Sequence, residues 1–490
     1  MVSARSALHV SLISVPTLAL LLTPRLSMPA GILGFVEVYG FGLALLLFAG
    51  KVGRDRIQFP KVPFAAFLMC GLLLVGWQNT RPRGFDFDGI HPELFLRACL
   101  TVTVAFVLAD ILVCSYGRQA LRYFLKMIVI ACVVQGTVLW LTFLVPGFRL
   151  AMSEVFYRDP DPTRQHLVEL RSPGFVSTGG DGLALNQGLL SIVALSFAMY
   201  ASDLKSRKVV TTLILISGLS TFTTGRSGLF LFLALAILLV IYRYVNGFTL
   251  LIGLVVATIG TSLLIRYAPD FPQTVVRVFG SASLEAEHPL NRLARSFNAN
   301  EIEYYFMALT ATPDRVSTLL FGGGLPLTDS YLNLDQFYYR VMSSIGVVAL
   351  TLLVVGAFVL PLISTYKSQP DINWKHRDSG RLIGTRRPSL YATVALAFGL
   401  LASFKTLFLT SRVFLTVFLV LTLLTVEASR SCSFRYFPQL RHRRRAAPIF
   451  DSIGLTRLDP VLQTGSSGSE RRVKSRTISA YCPRSNLRPS

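Results

Sequence analysis

Apolar residues in this chain are gathered into blocks separated by short polar stretches. Most of the blocks are about 16 to 22 residues long, the length of helix that crosses the hydrocarbon core of a bilayer. Twelve such blocks are present, at about 7–23, 31–50, 62–77, 94–114, 123–146, 182–201, 209–223, 228–244, 248–265, 337–361, 389–404 and 406–427. The pattern predicts an all-α polytopic membrane protein with about twelve transmembrane helices.

The basic residues between the blocks predict the orientation of these helices. Every basic cluster in a short loop follows an even-numbered block, and such clusters favour the cytoplasmic side. Both termini are therefore predicted to be cytoplasmic. The clusters are Lys51, Arg54, Arg56 and Lys61; Arg118, Arg122 and Lys126; Lys205, Arg207 and Lys208; Arg243; Lys367, Lys375, Arg377, Arg381, Arg386 and Arg387; and Arg441 to Arg445.

This orientation divides the chain into a transmembrane domain, 1–428, and a basic tail, 429–490. Two long loops, about 147–181 and 266–336, are predicted outside, the second between helices 9 and 10. The tail is rich in Arg, Ser and Pro, a composition typical of disordered segments, and it is expected in the cytoplasm. The first block lacks a convincing small-residue cleavage site, so it is expected to be an uncleaved helix.

Composition excludes a soluble protein. The 490 residues are 52% hydrophobic and only 15% charged, and their mean hydropathy is +0.55, whereas soluble domains carry about 25% charged residues. The net charge of +22 is explained by the loop clusters and the tail, so nucleic acid is not an expected partner. No cluster of His, Cys or acidic residues has metal-ligand spacing, so neither a metal nor another cofactor is predicted.

The segment Thr223-Thr224-Gly225-Arg226-Ser227-Gly228 joins two apolar blocks with almost nothing between them, which predicts a tight hairpin at the outer face. Cytoplasmic retention does not explain an arginine on that side. Either Arg226 reaches lipid phosphate from a simple turn, or rigid helix ends aim it at a bound phosphate, which its planar fork binds bidentately.

A second segment, 171–182, combines Arg171 with a density of Gly and Ser and leads directly into a helix. Backbone donors at a helix start favour an anion. Asp181 is expected to cap that helix. Asn186 lies one turn inside an apolar span, where a polar side chain needs a partner. It either packs on another helix or faces a substrate cavity.

The order of these motifs resembles the O-antigen polymerase and ligase superfamily. The resemblance begins with the Arg-x-x-Gly strip at Arg171, the early Asn186 and the Thr-Gly-Arg-Ser-Gly hairpin, followed by a long outer loop. Arg171 and Gly182 keep the spacing of ten residues described for the polymerases. The end of the long loop is similar to the family's glycine strip, polar-Tyr element and glycine-bearing helix start, through Phe321-Gly322-Gly323-Gly324, Asp329-Ser330-Tyr331 and Ser344-Ile345-Gly346.

The resemblance implies polymerisation of undecaprenyl-diphosphate-linked oligosaccharide units into surface or exopolysaccharide, at the outer face of a bacterial inner membrane. Expected partners are that lipid-linked oligosaccharide, membrane lipid, and flippase and chain-length regulator proteins. Arg171 and Arg226 are expected to clamp the diphosphate, and Arg292 or Arg295 to close over it. Candidates for the general base are His288, Glu301 and Glu303, with Asp329 further along; Asn186, Asp329 and Tyr331 are expected to contact substrate. His288, before Pro289, is equally explained as a solvated surface residue.

Three alternatives stay open at this point. A ligase would attach finished chains to a lipid core or a protein, and the Arg171–Gly182 spacing favours a polymerase over it. A carrier or flippase also fits twelve helices, but carriers place their long loop centrally and inside, whereas here helices 6 and 7 are joined only by 202–208. A sensor or scaffold would need a signalling domain, and the tail shows none.

Overall fold

The computed structural model of the protein describes residues 4–23, 57–79, 92–156, 174–175, 181–200, 207–241, 255, 320–322, 337–367, 389–404 and 408–433. Within these residues the chain is all-helical and contains no strand. The predicted all-α class is thus confirmed for the described part of the chain. The predicted spans 31–50 and 248–265 and the tail beyond residue 433 lie outside it, apart from residue 255.

Twelve α-helices are described, and the labels below count helices rather than membrane spans. They are α1 Ala4–Leu22, α2 Lys61–Asn79, α3 Pro92–Tyr116, α4 Ala120–Leu144, α5 Pro146–Phe156, α6 Asp181–Tyr200, α7 Arg207–Leu219, α8 Arg226–Ile241, α9 Phe337–Val354, α10 Leu360–Lys367, α11 Ser389–Ala402 and α12 Arg412–Ser433. The helix α5 is short, and a π-helical segment, Val355–Val359, joins α9 to α10.

The protein is a membrane protein. In the described part of the chain, four stretches are long and apolar enough to cross a bilayer: Pro92–Tyr116, Ala120–Leu144, Gly182–Met199 and Ser344–Lys367. Large apolar side chains also point outward from the bundle, among them Leu72, Ile237 and Leu352. A lipid-facing surface accounts for this exposure, since a water-soluble bundle would present polar residues there.

Helix α6 is the central helix of the bundle. It packs against α4, α7, α8, α11 and α12, and its residues are buried on all sides from Leu183 to Met199, apart from the half-buried Asn186. A helix that is apolar all round belongs in the interior. Around it, α12 packs on α3 and α11, α3 packs on α2, and α2 packs on α9.

Small residues allow these helices to pack closely, as they do between membrane helices in general. A Cβ added to Gly136 of α4 would lie 2.5 Å from the Cβ of Ser217. One added to Gly218 would lie 2.6 Å from the ring of Phe232 on α8. The backbones of α4, α7 and α8 therefore approach each other more closely than larger residues would allow.

Several helix boundaries differ from the predictions. The predicted outer loop 147–181 begins with the helix α5, because Val145 leaves the helical region (φ −120°, ψ 99°) and Pro146 suits the first position of a new helix. The predicted span 406–427 begins later, at Arg412, because a 3₁₀ turn, Phe408–Thr410, precedes it. The helix then continues to Ser433, into the segment predicted as tail.

Candidate functional site

The Thr-Gly-Arg-Ser-Gly segment forms a hairpin, as predicted. Helix α7 tightens into a 3₁₀ turn, Ser220–Thr223, and α8 begins at Arg226, so only Thr224 and Gly225 are non-helical. Arg226 is therefore the first residue of a helix rather than the middle of a turn. Amide groups in the first turn of a helix lack intrahelical partners and carry the positive end of its dipole.

Hydroxyl groups brace this hairpin from within. Thr221, Thr223 and Thr224 are buried, and each donates to the backbone carbonyl three residues earlier, at 2.6, 2.8 and 3.3 Å. The backbone N–H of Gly225 also donates to the carbonyl of Thr221, at 3.0 Å. These bonds all lie within residues 218–225, so they stabilise the turn that leads into α8.

The hairpin packs directly on the start of α6. Gly228 lies against the backbone of Ala184, with no room for a side chain, and a Cβ added to Gly188 would lie 2.8 Å from the Gly228 carbonyl oxygen. This close crossing places the first turn of α8 beside the first two turns of α6. The two motifs that the sequence singled out, the hairpin and the helix of Asn186, are thus adjacent in space.

Asn186 connects α6 to the start of α12. Its Oδ1 accepts a hydrogen bond from the Ser411 hydroxyl at 3.2 Å, and Ser411 immediately precedes α12. The side chain is half-buried. The only hydrogen bond that its side chain makes among the described residues is this one, through Oδ1. Asn186 therefore packs on another helix element, as one of the two predicted alternatives has it, through its Oδ1 alone.

Seven ends of the described helices meet at this end of the bundle, here called the hairpin end. Phe222 of the hairpin packs on Trp140 and Phe143 near the end of α4. Ser403, just after α11, accepts a hydrogen bond from the Leu409 amide at 3.0 Å. The hairpin end comprises the C-terminal ends of α4, α7 and α11 and the N-terminal ends of α6, α8, α9 and α12. The predicted alternation places these same seven ends on one side of the membrane.

Helix α9 joins the hairpin end through Tyr338. The Tyr338 hydroxyl donates to the carbonyl of Leu400 on α11 at 2.8 Å, and its ring centroid lies 4.9 Å from that of Phe404. Contacts therefore run without interruption from the start of α9, through the end of α11 and the start of α12, to Asn186 on α6.

Non-helical backbone penetrates the bundle beside this site. Gly174 of the Arg-x-x-Gly strip is buried against Gln135 of α4 and Leu183 of α6. Gln135 lies nine residues before the end of α4 at Leu144, which is about 14 Å along the helix axis. Irregular backbone at such depth is tolerated in a membrane protein only where protein buries it or where it lines a cavity. Gly174 therefore marks this part of the bundle as a candidate binding site.

Helix α9 is broken at Gly346, which contacts another glycine, Gly322. Gly346 has φ +87° and ψ 166°, and Gly322 has φ +79°, conformations that glycine tolerates and other residues rarely adopt. Gly346 lies against the Leu320 carbonyl, and a Cβ added to Gly322 would lie 2.5 Å from the Ser344 carbonyl oxygen. The glycine strip and the glycine-bearing helix start recognised in the sequence are therefore in direct contact.

The predicted site residues divide into two groups. Asn186 and the backbone of Arg226 are described, and the structure brings their two helices together. The others lie outside the described residues, and their predicted roles stay predictions: Arg171, His288, Arg292, Arg295, Glu301, Glu303, Asp329 and Tyr331.

The structure adds two glutamines that the sequence reasoning missed. Gln135 and Gln187 are buried, 3% and 0% exposed, among apolar helices. Nε2 of Gln187 donates to the carbonyls of Cys132 at 3.0 Å and Ser217 at 2.9 Å, linking α6 to α4 and α7. A signal was present in the sequence, because a polar residue inside an apolar span is costly unless it has a role.

A cavity at the opposite end of the bundle is not part of this site. It is lined by Lys61 at the start of α2, Ser364 of α10 and Glu427 of α12, among others. Glu427 is fifteen residues beyond Arg412 on α12, which is about 22 Å along the axis. The predicted topology places this cavity at the cytoplasmic face.

Comparison of the chain with protein-family models, curated proteins and solved structures found no match. Among the described residues, no group of three His, Cys, Asp or Glu side chains is placed to hold a metal ion.

Proposed function

We propose that this protein polymerises undecaprenyl-diphosphate-linked oligosaccharide repeat units into surface or exopolysaccharide, at the outer face of a bacterial inner membrane. The observation that carries the proposal is the packing of the Arg226 hairpin on the start of the Asn186 helix, beside the buried Gly174. These three elements, recognised separately in the sequence, are adjacent in the fold. The site they outline lies within a membrane bundle, the environment in which a lipid-linked substrate is found.

The proposed reaction needs no nucleotide sugar. An acceptor hydroxyl attacks the anomeric carbon of the donor sugar, a new glycosidic bond forms, and the bond from that carbon to the diphosphate oxygen breaks. Undecaprenyl diphosphate leaves with the bonding electron pair. The hydroxyl proton passes to a general base, for which His288, Glu301 and Glu303 are the candidates, with Asp329 as a further one.

The chain's cations would stabilise the negative charge that develops on the leaving diphosphate. Fixed positive groups are most effective where water is excluded and where they need not reorganise during the reaction. Arg226 is the first residue of α8, and the positive end of the helix dipole at that end favours an anion. We assign Arg171 and Arg226 as the clamp on the diphosphate, with Arg292 or Arg295 closing over it.

Complementation of a strain that lacks this chain tests the proposal. Arg226→Ala and Arg171→Ala, expressed at the normal level, are each expected to reduce long polysaccharide about 100-fold, the scale on which loss of one preorganised donor lowers turnover. Lys208→Ala is the matched control, because Lys208 is an exposed basic residue at the start of α7, away from the hairpin; it should complement fully. Polysaccharide length is read by gel electrophoresis of surface extracts.

The products separate the alternatives. Loss of long chains with single repeat units retained indicates a polymerase, whereas finished long chains held on the carrier lipid indicate a ligase. If the protein were a flippase, its loss would leave single lipid-linked units on the cytoplasmic side. Normal chain length in both arginine variants would contradict the diphosphate clamp.

A further inference from the structure

Three buried polar atoms on helices α4 and α6, near Gly174, have no hydrogen-bond partner. They are both polar atoms of the Gln135 side chain and Oε1 of Gln187. A buried polar group without a partner lowers the free energy of unfolding by roughly 1–3 kcal/mol. The loss is larger where the surroundings are apolar. Such a cost inside a membrane bundle calls for an explanation, and a bound ligand that completes the bonds supplies one.

The two glutamines differ in how they are held. Gln187 is anchored, because its Nε2 donates to the carbonyls of Cys132 and Ser217. Gln135 is on α4, three residues beyond Cys132, and has no such anchor. Gln187 therefore has an evident structural role with one acceptor left over, whereas packing alone gives no reason for an amide at position 135.

The Gln135 amide points at the backbone of Gly174. Its Nε2 lies so close to Gly174 that any side chain at that position would collide with it, and Leu183 at the start of α6 flanks the same spot. Glycine at position 174 thus allows the amide to lie against the backbone there. The unpartnered group lies beside Gly174 and next to the start of α6, the helix of Asn186.

We propose that Gln135 is a substrate-binding residue that hydrogen-bonds a sugar hydroxyl of the lipid-linked saccharide; this rests on the proposed function. A neutral amide offers two N–H donors and one carbonyl acceptor. A hydroxyl group donates and accepts at once, so it satisfies both ends of the amide. A diphosphate only accepts, and arginine suits it better. Gln135 therefore binds the sugar, and the arginines bind the diphosphate.

The test compares two nearly isosteric variants of the full-length protein in detergent. Gln135→Met removes two unpartnered polar atoms, so its Tm should equal or exceed that of the wild type. Gln187→Met removes two hydrogen bonds to backbone carbonyls and should lower Tm. Gln135→Leu, of similar volume, repeats the test in case methionine packs poorly.

Binding is then measured with two probes. One is undecaprenyl diphosphate without sugar, and the other is the lipid-linked oligosaccharide extracted from cells that lack this chain. Gln135→Met should weaken binding of the glycosylated lipid about tenfold, the scale of one buried hydrogen-bonded group, and leave binding of the bare lipid unchanged.

The remaining outcomes overturn the inference in distinguishable ways. If both variants at position 135 bind the glycosylated lipid as tightly as the wild type, Gln135 does not bind the sugar. The same conclusion follows if their affinity for the two lipids falls by the same factor. If they lower Tm as much as Gln187→Met does, Gln135 is structural. If the wild type binds neither lipid, the proposed function fails together with the inference.

Discussion

Gly228→Ala is expected to destabilise the protein by about 3 kcal/mol, because the new methyl group has nowhere to go. It would collide with the carbonyl oxygen, the carbonyl carbon and the Cα of Ala184, all of which belong to the backbone of α6. No rotamer change relieves a clash with backbone. Helix α8 must move away from α6, and the hairpin that begins with Arg226 moves with it, so long-chain polysaccharide should be lost as well.

The measurement is Tm of the purified protein in detergent, together with complementation. Gly76→Ala is the matched control, since Gly76 is in helix α2 and a Cβ there would meet nothing within 4 Å. The control should keep its Tm or gain slightly, because alanine restricts the unfolded chain more than glycine does. An unchanged Tm and full activity in Gly228→Ala would show that the α6–α8 crossing is looser than described.

Gly346→Ala is expected to have a comparable effect for a different reason. At φ +87° and ψ 166° the backbone is in a region that only glycine occupies readily, and another residue there costs about 1–3 kcal/mol. The added methyl group would also collide with the Leu320 carbonyl oxygen and the amide nitrogen of Gly322. The break in α9 and its contact with the glycine strip should be lost together.

Gly356→Ala is the control for this second variant, ten residues further along the same span. A Cβ at position 356 would meet Ala66 at 3.4 Å and Val62 at 3.6 Å, which are ordinary contacts. Gly356→Ala should therefore retain Tm and chain length, and Gly346→Ala should lower both. If the two variants had the same Tm and chain length, the break at Gly346 would matter neither for stability nor for function.

The positions of most helices were predictable from the sequence because the apolar blocks are long and their boundaries are polar. Ten of the twelve predicted spans fall on described helices. The hairpin was predictable too, since Thr224 and Gly225 leave no room for a longer connection. The adjacency of the hairpin and Asn186 agreed with their predicted location on one side of the membrane.

Other features depend on tertiary contacts that a local pattern does not contain. The apolar run 337–361 predicts one continuous helix, whereas the contact with Leu320 and Gly322 breaks it at Gly346. Gln135 and Gln187 look alike in the sequence. Only the packing shows that Gln187 is anchored to two backbone carbonyls while Gln135 faces Gly174 without a partner.

In the candidate site, one set of residues holds the helices in place and another set supplies polar groups. Gly188 and Gly228 hold α6 and α8 at a fixed close distance, and the threonine hydroxyls brace the turn between α7 and α8. Asn186 and Gln135 bring polar groups to the same region. A rigid frame of this kind holds the groups that bind a substrate in fixed positions, which catalysis and specific binding both require.

The most direct test of the central claim is reconstitution of the purified protein in proteoliposomes with lipid-linked oligosaccharide repeat units as the only sugar source. The wild type should convert single units into chains of several repeats, releasing undecaprenyl diphosphate, without added nucleotide sugar. Arg226→Ala should leave the single units unchanged. Single units that persist with correctly folded wild-type protein, or chains that form equally well with Arg226→Ala, would contradict the proposed polymerase site.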